Sequence, residues 1–307
     1  MRATKIVTLS FILCCLGWVV GCKSDGGVSP LTKCRVCGSS VAVEATVCPH
    51  CGAPMPAPKE VRVQFQRQEQ EKRLATLEPE IQNSIGMKLV LIRPGQFLMG
   101  SPASENPGRQ QQRVRITKPF YMAVHEVTQE QYEHVMGNNP SEFKGAKLPV
   151  ETVSWEEAAD FCEKLSRMEG RTYRLPTQAQ WEYACRAGST TAYSFGDDES
   201  QLGAYAWYSE NAGDKTHPVG TKNANSWGLY DMHGNVSEWC QDWYDENPSK
   251  DLTDPAGPSQ GTNRVRRGGA WHDLAWYCRS AYGDRLRPTI RYALLGFRVS
   301  LVVPSDE

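Results

Sequence analysis

Two Cys-x2-Cys pairs, Cys34 with Cys37 and Cys48 with Cys51, constrain the first part of this chain more tightly than any other feature. Ten residues separate them, and each pair is followed by a glycine, Gly38 or Gly52. Each pair presents two thiolates to one tetrahedral ion, and the glycine lets the backbone turn without a Cβ clash. The spacing is that of a zinc ribbon over residues 32–54, with Cys34, Cys37, Cys48 and Cys51 closing the shell in a structural rather than catalytic site. His50, inside the second pair, is an alternative ligand. Two disulfides are the alternative to zinc in an oxidising compartment.

The compartment is read from the first 22 residues. Arg2 and Lys5 precede a charge-free apolar run from Ile6 to Gly21 that ends at Cys22, the pattern of a signal peptide. The run is shorter than the ~20 residues needed to span a bilayer. Val19-Val20-Gly21-Cys22 resembles a lipobox, which makes Cys22 the lipidation candidate and the first residue of the mature chain; an uncleaved anchor is the alternative. Both place the rest of the chain outside the cytoplasm, anchored to the membrane of a bacterial cell envelope. A net charge of -1 gives no reason to expect nucleic acid as a partner.

Residues 23–33 and 54–59 are linker-like in composition, and residues 55–82 read as a charged linker or solvated helical stalk. The globular part runs from 83 to 304. Met87–Ile92 and Gln96–Gly100 are β-type runs around Pro94-Gly95 and read as a hairpin. Thr128 with Gln131, Ser154 with Glu157 and Thr177 with Gln180 are capping boxes that start three helices. In the second helix Ala158, Phe161, Cys162, Leu165 and Met168 recur at helical spacing before Gly170. In the third, Trp181, Ala184 and Cys185 share a face before Gly188, so both cysteines point inward. After Gly188 the chain breaks into short segments, as in an α+β domain with long loops.

Several strings follow one another in the order found in one family. They are Gly86-Met-Lys-Leu-Val90, Gly95-Gln-Phe-Leu-Met-Gly100, Val124-His-Glu-Val-Thr-Gln129, Leu148-Pro-Val150 with Val153-Ser-Trp155, and Arg174-Leu-Pro-Thr-Gln-Ala-Gln-Trp-Glu-Tyr-Ala184. Then come Trp227-Gly-Leu-Tyr-Asp-Met-His-Gly-Asn-Val-Ser-Glu-Trp239, Arg267-Gly-Gly-Ala-Trp271 and Leu295-Gly-Phe-Arg298. Together they resemble the formylglycine-generating-enzyme, or sulfatase-modifying-factor, domain. The resemblance implies a C-type-lectin-like α+β fold with little regular secondary structure.

It also implies a chemistry: oxidation of a sulfatase cysteine by oxygen and a copper ion held by two cysteines five residues apart after the Arg-Gly-Gly turn. An ungapped match places Asp273 at the first cysteine and Cys278 at the second. A gapped match pairs Cys278 with Cys185 in a disulfide and leaves no catalytic cysteine. The copper pair is incomplete either way, and copper is not expected. His272 and Asp273, with His233, are the residues from which another metal site could be built. The same resemblance implies calcium at Asp231, Gly234, Val236 and Glu238, two carboxylates flanking two backbone carbonyls.

Three functions follow. The first is a non-catalytic binding or scaffold module for a protein or carbohydrate ligand in the cell envelope, with Trp207, Trp227, Trp239, Trp243, Trp271 and Trp276 as candidates to line a groove or to form core. The second is a metal- and oxygen-dependent oxidase or hydroxylase acting on a protein substrate such as a sulfatase cysteine. The third makes the zinc ribbon the interaction module. The incomplete cysteine pair favours the first.

Overall fold

The computed structural model describes residues 31–33, 37–42, 45, 47–52, 59–102, 111–246 and 251–304. The leader 1–22 with Cys22, and the ribbon cysteine Cys34, lie outside the described residues. Two compact units make up the chain, Met1–Thr76 and Leu77–Glu307.

In the first unit, β1 (Leu31–Lys33) and β2 (Ser40–Ala42) pair antiparallel with Thr32 opposite Val41. Val41 and Cys48 form a small core. Helix α1 (Lys59–Thr76) has few apolar residues among its charged ones, and the exposed Glu69–Lys72 ion pair at 2.9 Å is the kind of contact that supports a solvated helix.

The second unit runs through β3 (Glu80–Gln82), β4 (Lys88–Ile92), β5 (Gly95–Met99), β6 (Gln112–Ile116), β7 (Phe120–Ala123), α2 (Gln129–Met136), α3 (Trp155–Glu169), β8 (Tyr173–Arg174), α4 (Gln178–Arg186) and α5 (Leu202–Tyr205). It ends with β9 (Ser237–Trp243), β10 (Asp251–Thr253), β11 (Arg264–Arg267), β12 (Gly283–Leu286), β13 (Leu295–Gly296) and β14 (Ser300–Val302). The strands form three sheets, ordered β3-β4-β7-β14-β8, β10-β6-β5 and β12-β11-β9-β13. Strand β3 pairs with β4, so this unit's first sheet begins inside the stretch whose composition reads as spacer.

All three capping boxes form. Thr128, Ser154 and Thr177 each accept from the N3 backbone N–H while the N3 side chain bonds back, which satisfies two orphan donors per helix. Helix α3 buries Ala158, Phe161, Cys162 and Leu165, but Met168 in its last turn is 51% exposed. In α4 the left-handed cap is Ala187, with φ 46°, one residue before Gly188. The hairpin expected around Pro94-Gly95 does not form. Strand β4 pairs with β3 and β7, while β5 pairs with β6 in another sheet. The Tyr183 hydroxyl lies against Gly95 where a Cβ would stand, so the chain changes sheets at the residue that leaves room for it.

One core gathers Tyr132, Phe161 and Phe297, whose ring centroids lie 5.3–6.3 Å apart. A second lies beneath α4 and holds Trp181, Cys185, Met232, Cys240 and Val265. Between Gly188 and Val236 the described chain has no strand. This is an α+β fold with long loops.

Candidate functional site

Strand β9 organises the site. In its sequence Ser-Glu-Trp-Cys-Gln-Asp-Trp, alternate side chains point to opposite faces, so Glu238, Cys240 and Asp242 share one face. That face meets α4: Trp181 Nε1 donates to Glu238 Oε2 at 2.7 Å, and the Gln178 N–H donates to Asp242 Oδ2 at 2.9 Å. On α4 itself, the fully buried Glu182 accepts from Arg186 and Arg267 at 2.9 Å each and from the Gly100 N–H at 2.8 Å. Arg267 also donates to the carbonyls of Ala281 and Tyr282, at 3.1 and 3.4 Å, and so holds the approach to β12. Gly283 lies so close that a Cβ there would be 3.0 Å from Arg267 Nε.

Of these residues, Gln178, Asp242, Arg267 and Gly283 line a cleft of about 580 Å³ between the β5–β6–β10 sheet and the β9–β11–β12 sheet. Gln178, Asp242, Arg267, Trp276, Tyr282 and Asp284 are among its lining residues. Asp242 is 1% exposed, its Oδ1 has no hydrogen-bond partner among the described residues, and burial pushes its carboxyl up to about 6. Sequence reasoning missed Asp242 and Glu182. The alternation through Ser237–Trp243 is the signal that could have found Asp242.

The catalytic candidates do not assemble. Cys278 is buried, its Sγ donates to the Leu274 carbonyl at 3.7 Å, and it packs so closely on Gly269 that a Cβ there would lie 2.8 Å away. Burial, with Asp273 and Glu199 adding to it, pushes this thiol well above its ordinary value, the reverse of what a reactive thiolate needs. His272 is exposed, 3.7 Å from the equally exposed Asp214. The Asp273 N–H donates to the Ala270 carbonyl at 2.9 Å, and its carbonyl accepts from the Ser209 N–H at 3.0 Å. His233 is buried elsewhere. Among the described residues, His272, Asp273 and His233 share no metal-ligating distance.

Cys185 and Cys278, which the resemblance would join in a disulfide, are separate thiols. His233 contacts both residues. Its Nδ1 bonds the Cys278 carbonyl at 2.8 Å, while its Nε2 lies 4.0 Å from Cys185 Sγ. The Ser194 N–H donates to that Nε2 at 3.1 Å, so the ring proton sits on Nδ1. Burial lowers the His233 pKa to about 4, and the ring is neutral.

The calcium candidates lie in one turn leading into β9. Asp231, with φ 59°, accepts from the Gly220 N–H at 2.7 Å through Oδ2; its buried Oδ1 has no partner among the described residues. Gly234 is required because a Cβ would lie 2.3 Å from the Trp207 carbonyl oxygen. Glu238 is engaged by Arg298 at 2.6 and 2.7 Å and by Trp181. Glu126 completes the cluster, accepting from the Val236 N–H at 3.0 Å and Asn235 Nδ2 at 2.8 Å. Burial and the neighbouring Asp231 and Glu238 carboxylates push Glu126 well up. Among the described residues the carboxylate oxygens of Glu126, Asp231 and Glu238 do not gather within 4.8 Å of one another, and the orphaned Asp231 oxygen is the donor left over for a hard cation. Glu238, already holding Arg298, is the weak member of the set.

In the first unit, the thiols of Cys37, Cys48 and Cys51 lie within 4.8 Å of one another, with Cys37 Sγ and Cys48 Sγ 3.6 Å apart. Gly38 and Gly52 take φ of 74° and 70°, the turns the pattern requires. Such a cluster can hold a metal such as zinc.

Residues 75–302 match the sulfatase-modifying factor enzyme 1-like domain. The chain belongs to this family. "Chaperone protein LppX" of Paenibacillus barcinonensis is 34% identical over an alignment of 205 positions, and the match covers 50% of this chain and 69% of that one. The formylglycine-generating enzyme of Mus musculus is 33% identical over an alignment of 183 positions, and the match covers 54% of this chain and 48% of the enzyme. The chain thus spans about half the length of that enzyme. Among solved structures, Treponema denticola variable protein 1 superposes with a TM-score of 0.69 at 31% identity, over 74% of this chain and 100% of that one. In this sulfatase-modifying-factor chain, the segment after Arg267-Gly268-Gly269 leads into the 3-10 turn Ala275–Cys278 at the cleft rim.

Proposed function

We propose that this chain is a lipid-anchored extracytoplasmic binding module that holds a ligand in the cleft, and that it does not oxidise sulfatase cysteines. One observation carries the reading: the cysteine left after the Arg-Gly-Gly turn, Cys278, is sealed beneath Gly269 with its thiol held protonated by burial; in the ungapped match Asp273 stands at the other position, and in the gapped match no catalytic cysteine is left. A copper-binding pair needs two accessible soft thiolates, and Asp273 offers a hard oxygen instead. The leader ending at Cys22 supports the location. Zinc in the ribbon, through Cys34, Cys37, Cys48 and Cys51, and calcium at Asp231, Gly234, Val236 and Glu238 complete the proposal as structural ions.

The test is to load the purified full chain with Cu(I), incubate it with a sulfatase-type cysteine peptide under oxygen, and follow the peptide by mass spectrometry. The expected result is an unchanged peptide. Conversion of its cysteine, abolished in Cys278→Ser, would establish the oxidase reading instead.

A further inference from the structure

Two charged side chains of the cleft lining, Arg267 and Asp284, are paired within the protein. Arg267 is held by Glu182 at 2.9 Å and Arg266 by Asp284 at 2.7 Å. A charged ligand would lose its water against pairs already made. Asp242 differs in hydrogen bonding, since one of its oxygens has no partner, yet the guanidiniums of Arg174, Arg264 and Arg267 all act on it electrostatically. Three neighbouring cations disfavour an ammonium or guanidinium ligand there. A hydroxyl suits the place better, because a single hydroxyl donates to a carboxylate and accepts from a guanidinium.

The rim supplies a second, independent feature. The turn Ala275–Cys278 buries Ala275 and Cys278, and it turns Leu274, Trp276 and Tyr277 outward at 61%, 44% and 37% exposure. Trp276 lines the cleft; the Arg279 guanidinium lies over one face of its ring, 3.9 Å from the centroid, so a ligand would stack on the opposite face. Aromatic surface beside a wall of carboxylates, amides and guanidiniums matches a ligand with one C–H face and a perimeter of hydroxyls.

We propose that the cleft binds a neutral pyranose sugar, with Trp276 against its C–H face and Asp242 as the acceptor at the floor. This rests on the binding reading above and names its ligand class. A volume of about 580 Å³ admits more than one ring, so the sugar can belong to an oligosaccharide. Gly257 covers the unpaired Asp242 oxygen, at 3.4 Å from where its Cβ would be, so a sugar hydroxyl reaches that oxygen through a bridging water or a small shift of the 255–258 loop.

The test is saturation-transfer NMR on the full chain. The probes are methyl α-glucoside, methyl α-mannoside, methyl β-galactoside and N-acetylglucosamine, with acetyl-trialanine amide as the peptide control. At least one sugar is expected to bind, with saturation strongest on its ring C–H protons. Trp276→Ala, a change at an exposed ring, is expected to lower its affinity by at least about tenfold, about 1.4 kcal/mol. Asp242→Asn is expected to lower it as well. Four silent sugars, or unchanged affinity in Trp276→Ala, overturn the sugar assignment. A peptide control that binds in a Trp276-dependent way also overturns it but leaves the binding reading standing, whereas turnover of the sulfatase-type peptide overturns the binding reading itself.

Discussion

Arg298 meets both oxygens of Glu238, through Nη2 at 2.6 Å and Nε at 2.7 Å, with neither side chain exposed to solvent. Its other N–H groups reach the carbonyls of Ala123 and Tyr230, at 3.2 and 2.9 Å. The pair therefore ties β9 to β7 and to the chain just before β14. Taking away one partner strands a buried charge, which costs about 3–5 kcal/mol. Arg298→Met is expected to lose stability in that range by urea unfolding. A loss below about 1 kcal/mol would mean that the pair contributes little net stability.

Stability should fall as the solution becomes less acid across one window. Burial raises the Asp242 carboxyl from 3.8 to about 6. Between those values the folded chain keeps a proton that the unfolded chain releases. This contribution is fully present below the unfolded value and is lost as pH rises through the folded one. At about 1.4 kcal/mol per unit, the Asp242 share is on the order of 2–3 kcal/mol. Asp242→Asn is expected to flatten the dependence of the urea midpoint on pH across this window. Asp231 and Glu126, also raised by burial, retain part of the slope. An unchanged slope in the variant would assign the dependence to them.

What was legible in the sequence depended on separation along the chain. Thr128 and Gln131 are three residues apart, and their capping box is a local bond that the residue types alone announce. Cys162 and Cys185 could be placed inward because helical period is also local. Ordered strings extended this reading to the family. The Glu182–Arg267 pair joins residues 85 apart, and Arg298–Glu238 joins residues 60 apart; no periodicity connects such partners. The same limit explains the hairpin that did not form, because Tyr183, 90 residues from Arg93, occupies the turn. The contacts of His233 with Cys185 and with the Cys278 carbonyl were not legible either, because it lies 48 and 45 residues from them in sequence.

The ribbon carries a metal prediction. Zinc–sulfur bonds of about 2.3 Å set thiolates of a tetrahedral site about 3.8 Å apart. A disulfide needs about 2.05 Å. The 3.6 Å between Cys37 and Cys48 sides with the ion. Elemental analysis of the purified chain is expected to find one zinc, lost in Cys48→Ser, whose wild-type thiol is the buried member of the cluster. Two disulfides recovered from the unreduced ribbon by mass spectrometry would count against zinc.

Thiol accessibility tests the core of the functional reading. Cys162, Cys185, Cys240 and Cys278 are all buried, and burial raises the pKa of each; Cys185 is pushed up to about 12. Alkylation requires thiolate and access, and these four sites supply neither. With the ribbon cysteines held by zinc, iodoacetamide under native conditions is expected to leave all four unmodified, and after denaturation without reductant to label all four. Two labels instead of four would show that one pair is joined in the isolated protein. Rapid native labelling of Cys278 alone would matter more, since it would mean that Gly269 and Leu274 open to expose a thiolate, against the binding-module reading.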